Sequence, residues 1–159
     1  MTLSYQVEQW LPNRDNPFGA RHELEALIPD HYAELGLNQD KVKLNPYWQG
    51  YAQTAEHDQL MYVTIRDKGK LVGYFIGFVV PELHYKDVLS LTMDIFYVSP
   101  EYRHGRAGVK LFQRVEQEAK RRGVKRIHVG SKMHKDASSL FKYLKYGPVE
   151  TYYSKWIGD

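Results

Sequence analysis

The stretch that decides the fold covers residues 98–109 and reads Val98-Ser99-Pro100-Glu101-Tyr102-Arg103-His104-Gly105-Arg106-Ala107-Gly108-Val109. A strand pattern, 89–98, leads into it, and an amphipathic helix pattern, 107–122, follows it. Small residues at a strand-to-helix turn let backbone N–H groups approach a ligand closely, and the N-terminus of a helix carries about half a positive charge. The turn therefore predicts a site for a phosphate or pyrophosphate group.

The glycine spacing argues against two common phosphate ligands. Gly105 and Gly108 are too close together for the P-loop pattern, and no Lys-Ser/Thr pair follows them. The pattern G-x-G-x-x-G is absent as well, so ATP and nicotinamide dinucleotides are disfavoured. On these residues alone, an ordinary solvated loop that enters a helix remains an alternative.

The same stretch resembles motif A of the GNAT N-acetyltransferases. That motif reads Q/R-x-x-G-x-G/A, and its amides bind the pyrophosphate of coenzyme A. Arg103 takes the first position and Gly108 the last, whereas Arg106 stands at the usual glycine position and Gly105 comes one place earlier. This arrangement resembles the R-x-G-R-A-G version of phage-encoded members. The resemblance implies that acetyl-coenzyme A is bound by Phe96, Tyr97, Val98, Arg103, His104, Gly105, Arg106, Ala107, Gly108, Val109 and Asp136.

A second family signature lies downstream. GNAT proteins carry a helix that ends in Tyr-x-x-x-Gly, and Tyr143 lies four residues before Gly147. The resemblance implies that the Tyr143 hydroxyl protonates the departing coenzyme A thiolate. Asp136 stands where the family often has an asparagine that contacts the pantetheine arm. The alternative for Tyr143 is a plain core aromatic on a short helix.

Asp94 is the sharpest candidate for a catalytic base, because direct transfer needs an unprotonated amine. It interrupts the strand 91–98, and alternation predicts that it shares a face with Thr92, Phe96 and Val98. A structural salt bridge is the alternative role for Asp94. The histidine–tyrosine pairs at 31–32 and 84–85 are weaker candidates, and no histidine pair has metal-ligand spacing, so we expect no metal.

The remaining patterns predict one α+β domain over residues 1–159. A helical pattern at 18–35 contains Pro29, which should kink or split it. Residues 60–80 predict a hairpin, residues 89–130 a β-α-β unit, and residues 149–157 a last strand. With the family resemblance, this predicts a mixed, mostly antiparallel sheet of six to seven strands flanked by about four helices.

Composition and charge limit the class of protein. The chain has no cysteine, and no signal-peptide pattern follows Met1. Its longest apolar run, 71–80, is well short of the roughly 20 residues that a membrane helix needs, so we expect a cytoplasmic protein. Residues 101–126 hold nine Lys/Arg and three Asp/Glu, a local charge of +6 within a total of +3. This segment should lie near an anion.

Two functions follow. The first is an N-acetyltransferase that moves the acetyl group of acetyl-coenzyme A directly to a primary amine on a small molecule, a peptide, a protein or aminoacyl-tRNA. The second is an inactive GNAT-like module that binds nucleic acid or protein through its basic surface. We favour the first, because the phosphates of coenzyme A already account for the basic charge. The resemblance also implies a possible homodimer.

Overall fold

The computed structural model describes residues 2–159, which form a five-stranded sheet and four α-helices. In chain order the elements are β1 (Leu3–Val7), α1 (Gly19–Leu35), α2 (Trp48–Glu56), β2 (Leu60–Asp67), β3 (Lys70–Pro81), β4 (Leu89–Val98), α3 (Ala107–Arg121), β5 (Arg126–His128) and α4 (Ser138–Tyr143). The predicted α+β class is confirmed.

The sheet has the order β1-β2-β3-β4-β5, and all neighbours are antiparallel except β4 and β5. The predicted hairpin is β2–β3, which turns at Lys68 and Gly69 with φ values of 48° and 87°. Positive φ at both turn residues matches the strand twist of a tight hairpin. The predicted β-α-β unit is β4-α3-β5, and its helix provides the crossover that a parallel pair requires.

Each face of the sheet packs against helices. On one face, the apolar stripe of α3, which includes Leu111, Phe112 and Val115, covers β2, β3 and β4. On the other face, α1 and α2 cover a cluster built around Tyr62, Tyr74, Ile76 and Tyr97. Every strand residue of β3 from Leu71 to Gly77 is buried, so the apolar content of this strand follows from its central place.

Two predictions about individual elements are wrong. Helix α1 runs without interruption from Gly19 to Leu35 although Pro29 lies inside it. The sheet has five strands rather than six to seven, because residues 149–157 pair with no strand of the described chain. Their strand-forming side chains stay in solvent, with Tyr152 88% and Tyr153 91% exposed.

No helix within residues 2–159 is both long enough and apolar enough to span a membrane.

Candidate functional site

The two parallel strands part shortly after they meet. β4 pairs with β5 only where Ser90–Thr92 faces Arg126–His128. From Met93 onward, β4 keeps its antiparallel partner β3 but has no strand on its other side. Backbone N–H and C=O groups along residues 93–98 therefore face an opening, where they can bind a ligand that carries amide groups.

A β-bulge coincides with the start of this opening. Ile76 pairs with Ile95 and Gly77 pairs with Met93, so Asp94 is one extra residue in β4. Bulges bend a strand and re-aim the side chains around them. This bulge brings a carboxylate to the point where β4 leaves β5.

The bulge also corrects the predicted face of Asp94. Phe96 and Val98 pack with the α3 core, whereas Ile95 packs with the α1/α2 cluster. Asp94 lies on the α2 side, because its carboxylate accepts a 2.5 Å hydrogen bond from the Tyr51 hydroxyl of α2. The shared face with Phe96 and Val98 is therefore wrong: the extra residue reverses the alternation after position 94.

Aromatic rings surround the Asp94–Tyr51 pair. The Tyr51 ring is nearly parallel to Phe78 with centroids 6.3 Å apart, and it lies 5.0 Å from Trp10 and 6.3 Å from Trp48. Burial and the adjacent carboxylate both raise the pKa of Tyr51 above its usual value. Tyr51 thus remains a protonated donor to Asp94 throughout the neutral pH range.

The predicted anion loop has free backbone donors. Gly105 adopts φ +95°, which turns the chain into α3. The N–H of Lys110 donates to the carbonyl of Arg106, as in the first full helical turn. The N–H groups of Ala107, Gly108 and Val109 precede that bond and have no acceptor within the helix. An anion is the natural partner for such a set.

Arg103 does not point to this loop. Its Nη1 and Nη2 atoms each donate to a Glu34 carboxylate oxygen at 2.6 Å, and its Nε donates to the Val98 carbonyl at 2.7 Å. The guanidinium also lies 5.4 Å from the centroid of the Tyr97 ring. Arg103 therefore joins the end of β4 to α1, and the carboxylate of Glu34 raises its pKa further. Its predicted contact with coenzyme A would require breaking this pair.

Arg106 and Tyr143 are brought together. The Arg106 Nη2 donates to the Tyr143 hydroxyl at 3.2 Å, and the guanidinium carbon lies 5.7 Å from the ring centroid. The Tyr143 side chain is 56% exposed, so the alternative of a plain core aromatic is wrong. The contact links the anion loop to α4 across the side of the opening.

The other predicted cofactor residues divide into core and surface. The Phe96 ring packs on Phe112 and Phe141 with centroids 5.0 and 6.0 Å away. The Tyr97 ring stacks on His31 at 5.0 Å. With Val98 buried as well, these three residues can offer a ligand only their backbone. His104 is exposed in the loop.

Asp136 has a local structural role. Its carboxylate accepts hydrogen bonds of 2.9 Å from the Ser131 hydroxyl, the Ser138 N–H and the Ser138 hydroxyl. These bonds lower the pKa of Asp136 and fix the turn that starts α4. The carboxylate thus positions the helix that carries Tyr143, and contact with pantetheine stays a prediction.

The weaker histidine candidates lie away from the Asp94 carboxylate. His31 is buried, with its Nδ1 atom 2.7 Å from the Tyr74 hydroxyl, and burial lowers its pKa to about 4. His84 lies exposed in the loop after β3. Among residues 2–159, no three His, Cys, Asp or Glu side chains are grouped to bind a metal ion.

Sequence reasoning missed two partners. Tyr51 and Glu34 contact Asp94 and Arg103 across 43 and 69 residues of chain. No local motif marks either residue. A charge or hydrogen-bonding group on the helices covering β4 is the only signal that could have suggested them.

Comparisons with known proteins agree with this geometry. The family model described as the acetyltransferase (GNAT) family matches residues 22–147. No curated protein matches the chain.

Solved structures share the fold across the whole chain. A ribosomal-protein-alanine N-acetyltransferase from Brucella melitensis biovar Abortus 2308 is 16% identical, with 100% of both chains covered and a TM-score of 0.75. An aminoglycoside acetyltransferase from an uncultured soil metagenomic sample is 16% identical, covering 100% of this chain and 99% of that one, with a TM-score of 0.71. A predicted acetyltransferase from Clostridium acetobutylicum, solved with acetyl-CoA, is 14% identical over 98% and 97% of the two chains, with a TM-score of 0.67.

Proposed function

The chain belongs to the acetyltransferase (GNAT) family, and from this premise we propose that it is an N-acetyltransferase that moves the acetyl group of acetyl-coenzyme A directly to a primary amine. The observation that carries the proposal is the parting of β4 from β5 at the Asp94 bulge. That opening puts free backbone groups, a carboxylate and the anion loop next to one another.

The residues present fit coenzyme A. The N–H groups of residues 107–109 would hold its pyrophosphate, and Arg106, His104 and Lys110 are exposed cations or titratable groups around them. The free edge of β4 over residues 93–98 would pair with the amides of the pantetheine arm. When bound, the cofactor supplies a thioester carbonyl that is open to attack by an amine.

Asp94 would remove the proton from the acceptor ammonium, directly or through water. Its carboxylate is half-buried and already receives the Tyr51 hydroxyl. That bond restricts one oxygen and leaves the other available. A base held at the mouth of the opening can act on an amine as it approaches the acetyl group.

Tyr143 would donate a proton to the sulfur of coenzyme A as the thiolate departs. Its exposed hydroxyl accepts from Arg106, so its own O–H remains available as a donor. Arg106 then has two roles in the proposal: it orients this hydroxyl, and it adds positive charge beside the anion loop.

The acceptor is a primary amine whose class remains to be determined. Two of the similar structures are described as acting on ribosomal-protein alanine and on aminoglycosides, so both chemistries belong in a screen. The experiment is a thiol-release assay with acetyl-coenzyme A against peptides with an N-terminal alanine, aminoglycosides, small alkyl amines and charged tRNA. We expect release with at least one acceptor, and a loss of most of it in Asp94→Asn.

The matched control is Asp87→Asn, an exposed aspartate outside the opening, which should leave release unchanged. No release with any acceptor, from a folded protein that still binds coenzyme A, would contradict the proposed transfer. It would favour the alternative of an inactive binding module.

A further inference from the structure

An apolar slot lies between the second half of α3, β5 and the end of α4. It has a volume of about 260 Å³. Its apolar lining consists of Ala119, Val124, Ile127, Leu144 and Tyr146. The Tyr146 hydroxyl is buried without a hydrogen-bond partner among the described residues. An apolar slot with an unsatisfied buried hydroxyl is a place where a further group would gain contacts.

The strand beside the slot has a free edge. β5 pairs with β4 on one side only, and it is the last strand of the sheet. Its other edge presents unpaired N–H and C=O groups over Arg126–His128. Such an edge is a template for one more strand.

Residues 149–157 have the character of a strand without a partner. They read Val149-Glu150-Thr151-Tyr152-Tyr153-Ser154-Lys155-Trp156-Ile157, rich in β-branched and aromatic residues. Val149 is 83% exposed, Tyr153 91% and Ile157 87%. In an extended strand these three side chains share one face. A compact apolar face in solvent marks an interaction site.

We propose that two copies of this chain exchange these segments: residues 149–157 of each copy add to the free edge of β5 in the other and place Val149, Tyr153 and Ile157 against its slot. Strand addition supplies the main-chain hydrogen bonds, and the slot selects the side chains. The reciprocal exchange gives a closed two-fold dimer.

The occupant is a second copy because the chain leaves its own segment unused. The segment starts three residues after Tyr146, which lines the slot, yet it stays in solvent while the slot stays open. Charge also fits, since Lys120, Lys125 and Lys145 line the slot and the segment carries Glu150. Three aromatic residues in each segment, at about 150–250 Å² each, bring two exchanged segments to the roughly 1,000 Å² of a specific interface.

Sedimentation equilibrium of the full chain tests the dimer. We expect a reversible dimer at micromolar to tens of micromolar concentration. Tyr153→Asp should raise the dimer dissociation constant at least tenfold, because it puts a charge on the face toward the slot. The matched control Ser154→Asp adds the same charge to the opposite face and should change the constant by threefold at most.

Hydrogen exchange at two protein concentrations locates the contact. Amides of residues 149–157 and 126–128 should gain protection together as concentration rises through the dissociation constant. Protection that is independent of concentration in a monomer would mean that the segment pairs within its own chain and would overturn the proposal. A monomer with no protection, or a dimer indifferent to Tyr153→Asp, would overturn it as well. Neither readout involves acetyl transfer, so the result stands apart from the proposed function.

Discussion

Asp94 shows how a single extra residue builds a site. In a regular strand its side chain would have followed the alternation of Phe96 and Val98 into the α3 core, where an unpaired carboxylate is costly. The bulge instead turns it toward Tyr51, which donates a hydrogen bond to it. The bulge thus converts a destabilising position into a candidate base.

Asp94→Asn tests that role. The amide keeps the size of the side chain and can still accept from Tyr51, but it cannot take a proton. We expect turnover to fall by about 100-fold or more, the usual contribution of a positioned base, with the pH optimum moved upward if water takes over. Steady-state rates from pH 6 to 9 provide the measurement.

The control for this change is Tyr51→Phe, which leaves the carboxylate but removes its donor. It should cost about 1 kcal/mol of stability for the lost hydrogen bond and reduce turnover less than Asp94→Asn does. Normal turnover per folded molecule in Asp94→Asn would give Asp94 a structural role.

Tyr143→Phe separates an enzyme from a binding module. The change removes one hydroxyl from an exposed ring, so the unfolding free energy should change by less than about 1 kcal/mol. If the hydroxyl protonates the thiolate, turnover should fall by about 100-fold or more while acetyl-coenzyme A affinity changes little, because the bond strengthens mainly in the transition state. Rapid-quench rates and calorimetric titration measure the two quantities.

Near-normal turnover in Tyr143→Phe would mean that another group serves the thiolate. The exposed Tyr152→Phe is the matched control, since it removes the same hydroxyl outside the opening. It should leave both quantities unchanged.

At the scale of elements, the turn from β4 into α3 assigns different roles to its two glycines. Gly105 has φ +95°, whereas Gly108 has no positive φ and lies in the first turn of α3. Gly105→Ala should therefore destabilise the fold by about 1–2 kcal/mol through backbone strain. Gly108→Ala should not, because a Cβ there meets only the Leu140 side chain at 3.4 Å.

Cofactor binding should reverse that order of effects at Gly108. If its N–H lies against pyrophosphate, an added methyl group hinders the approach and weakens coenzyme A binding at unchanged or slightly raised stability. Chemical denaturation and titration calorimetry on both variants give the comparison. Unchanged affinity in Gly108→Ala would move the pyrophosphate away from the start of α3.

Helix α1 is joined to the sheet partly through His31, and this contact should make the fold sensitive to acid. The folded chain lowers the pKa of His31 from 6.5 to about 4, so the folded state binds fewer protons than the unfolded state between these values. Stability from this residue is complete above pH 6.5 and is lost as pH falls toward 4. From pH 7 to pH 5 the loss should be about 2 kcal/mol.

Urea denaturation at pH 7 and pH 5 measures this loss. His31→Gln removes the titrating group, so the difference between the two pH values should shrink by most of that amount, whatever the overall stability of the variant. His84→Gln, at an exposed histidine, should keep the full difference. An equal difference in wild type and His31→Gln would assign the acid sensitivity to carboxylates.

Over the whole molecule, local patterns predicted more of the fold than of the site. Apolar periodicity and turn chemistry were sufficient for the β2–β3 hairpin, the long central strand and α3, because these depend on neighbours in sequence. The Asp94 bulge and the Arg103–Glu34 pair arise from strand register and from contacts between distant residues. The unpaired segment 149–157 also escaped prediction, since strand propensity says nothing about whether an edge is within reach.

Ligand binding should be visible in the stability of the whole chain. The site joins β4, the anion loop, α3 and α4, so a cofactor bound there holds together elements that contact one another only at their ends. At a hundredfold excess over its dissociation constant, coenzyme A should add about 2.7 kcal/mol. For a chain of 159 residues, this corresponds to a rise in melting temperature of about 5–10 °C.

Differential scanning fluorimetry with coenzyme A and with dephospho-coenzyme A measures this rise. Arg106→Glu should reduce it by reversing a charge beside the phosphates, whereas Arg114→Glu, two turns further along α3, should reduce it less because electrostatic attraction falls with distance and salt. Both variants should melt near the wild-type temperature without ligand. A full shift in Arg106→Glu would place the phosphates elsewhere, and no shift of the wild type with millimolar coenzyme A would contradict the cofactor site itself.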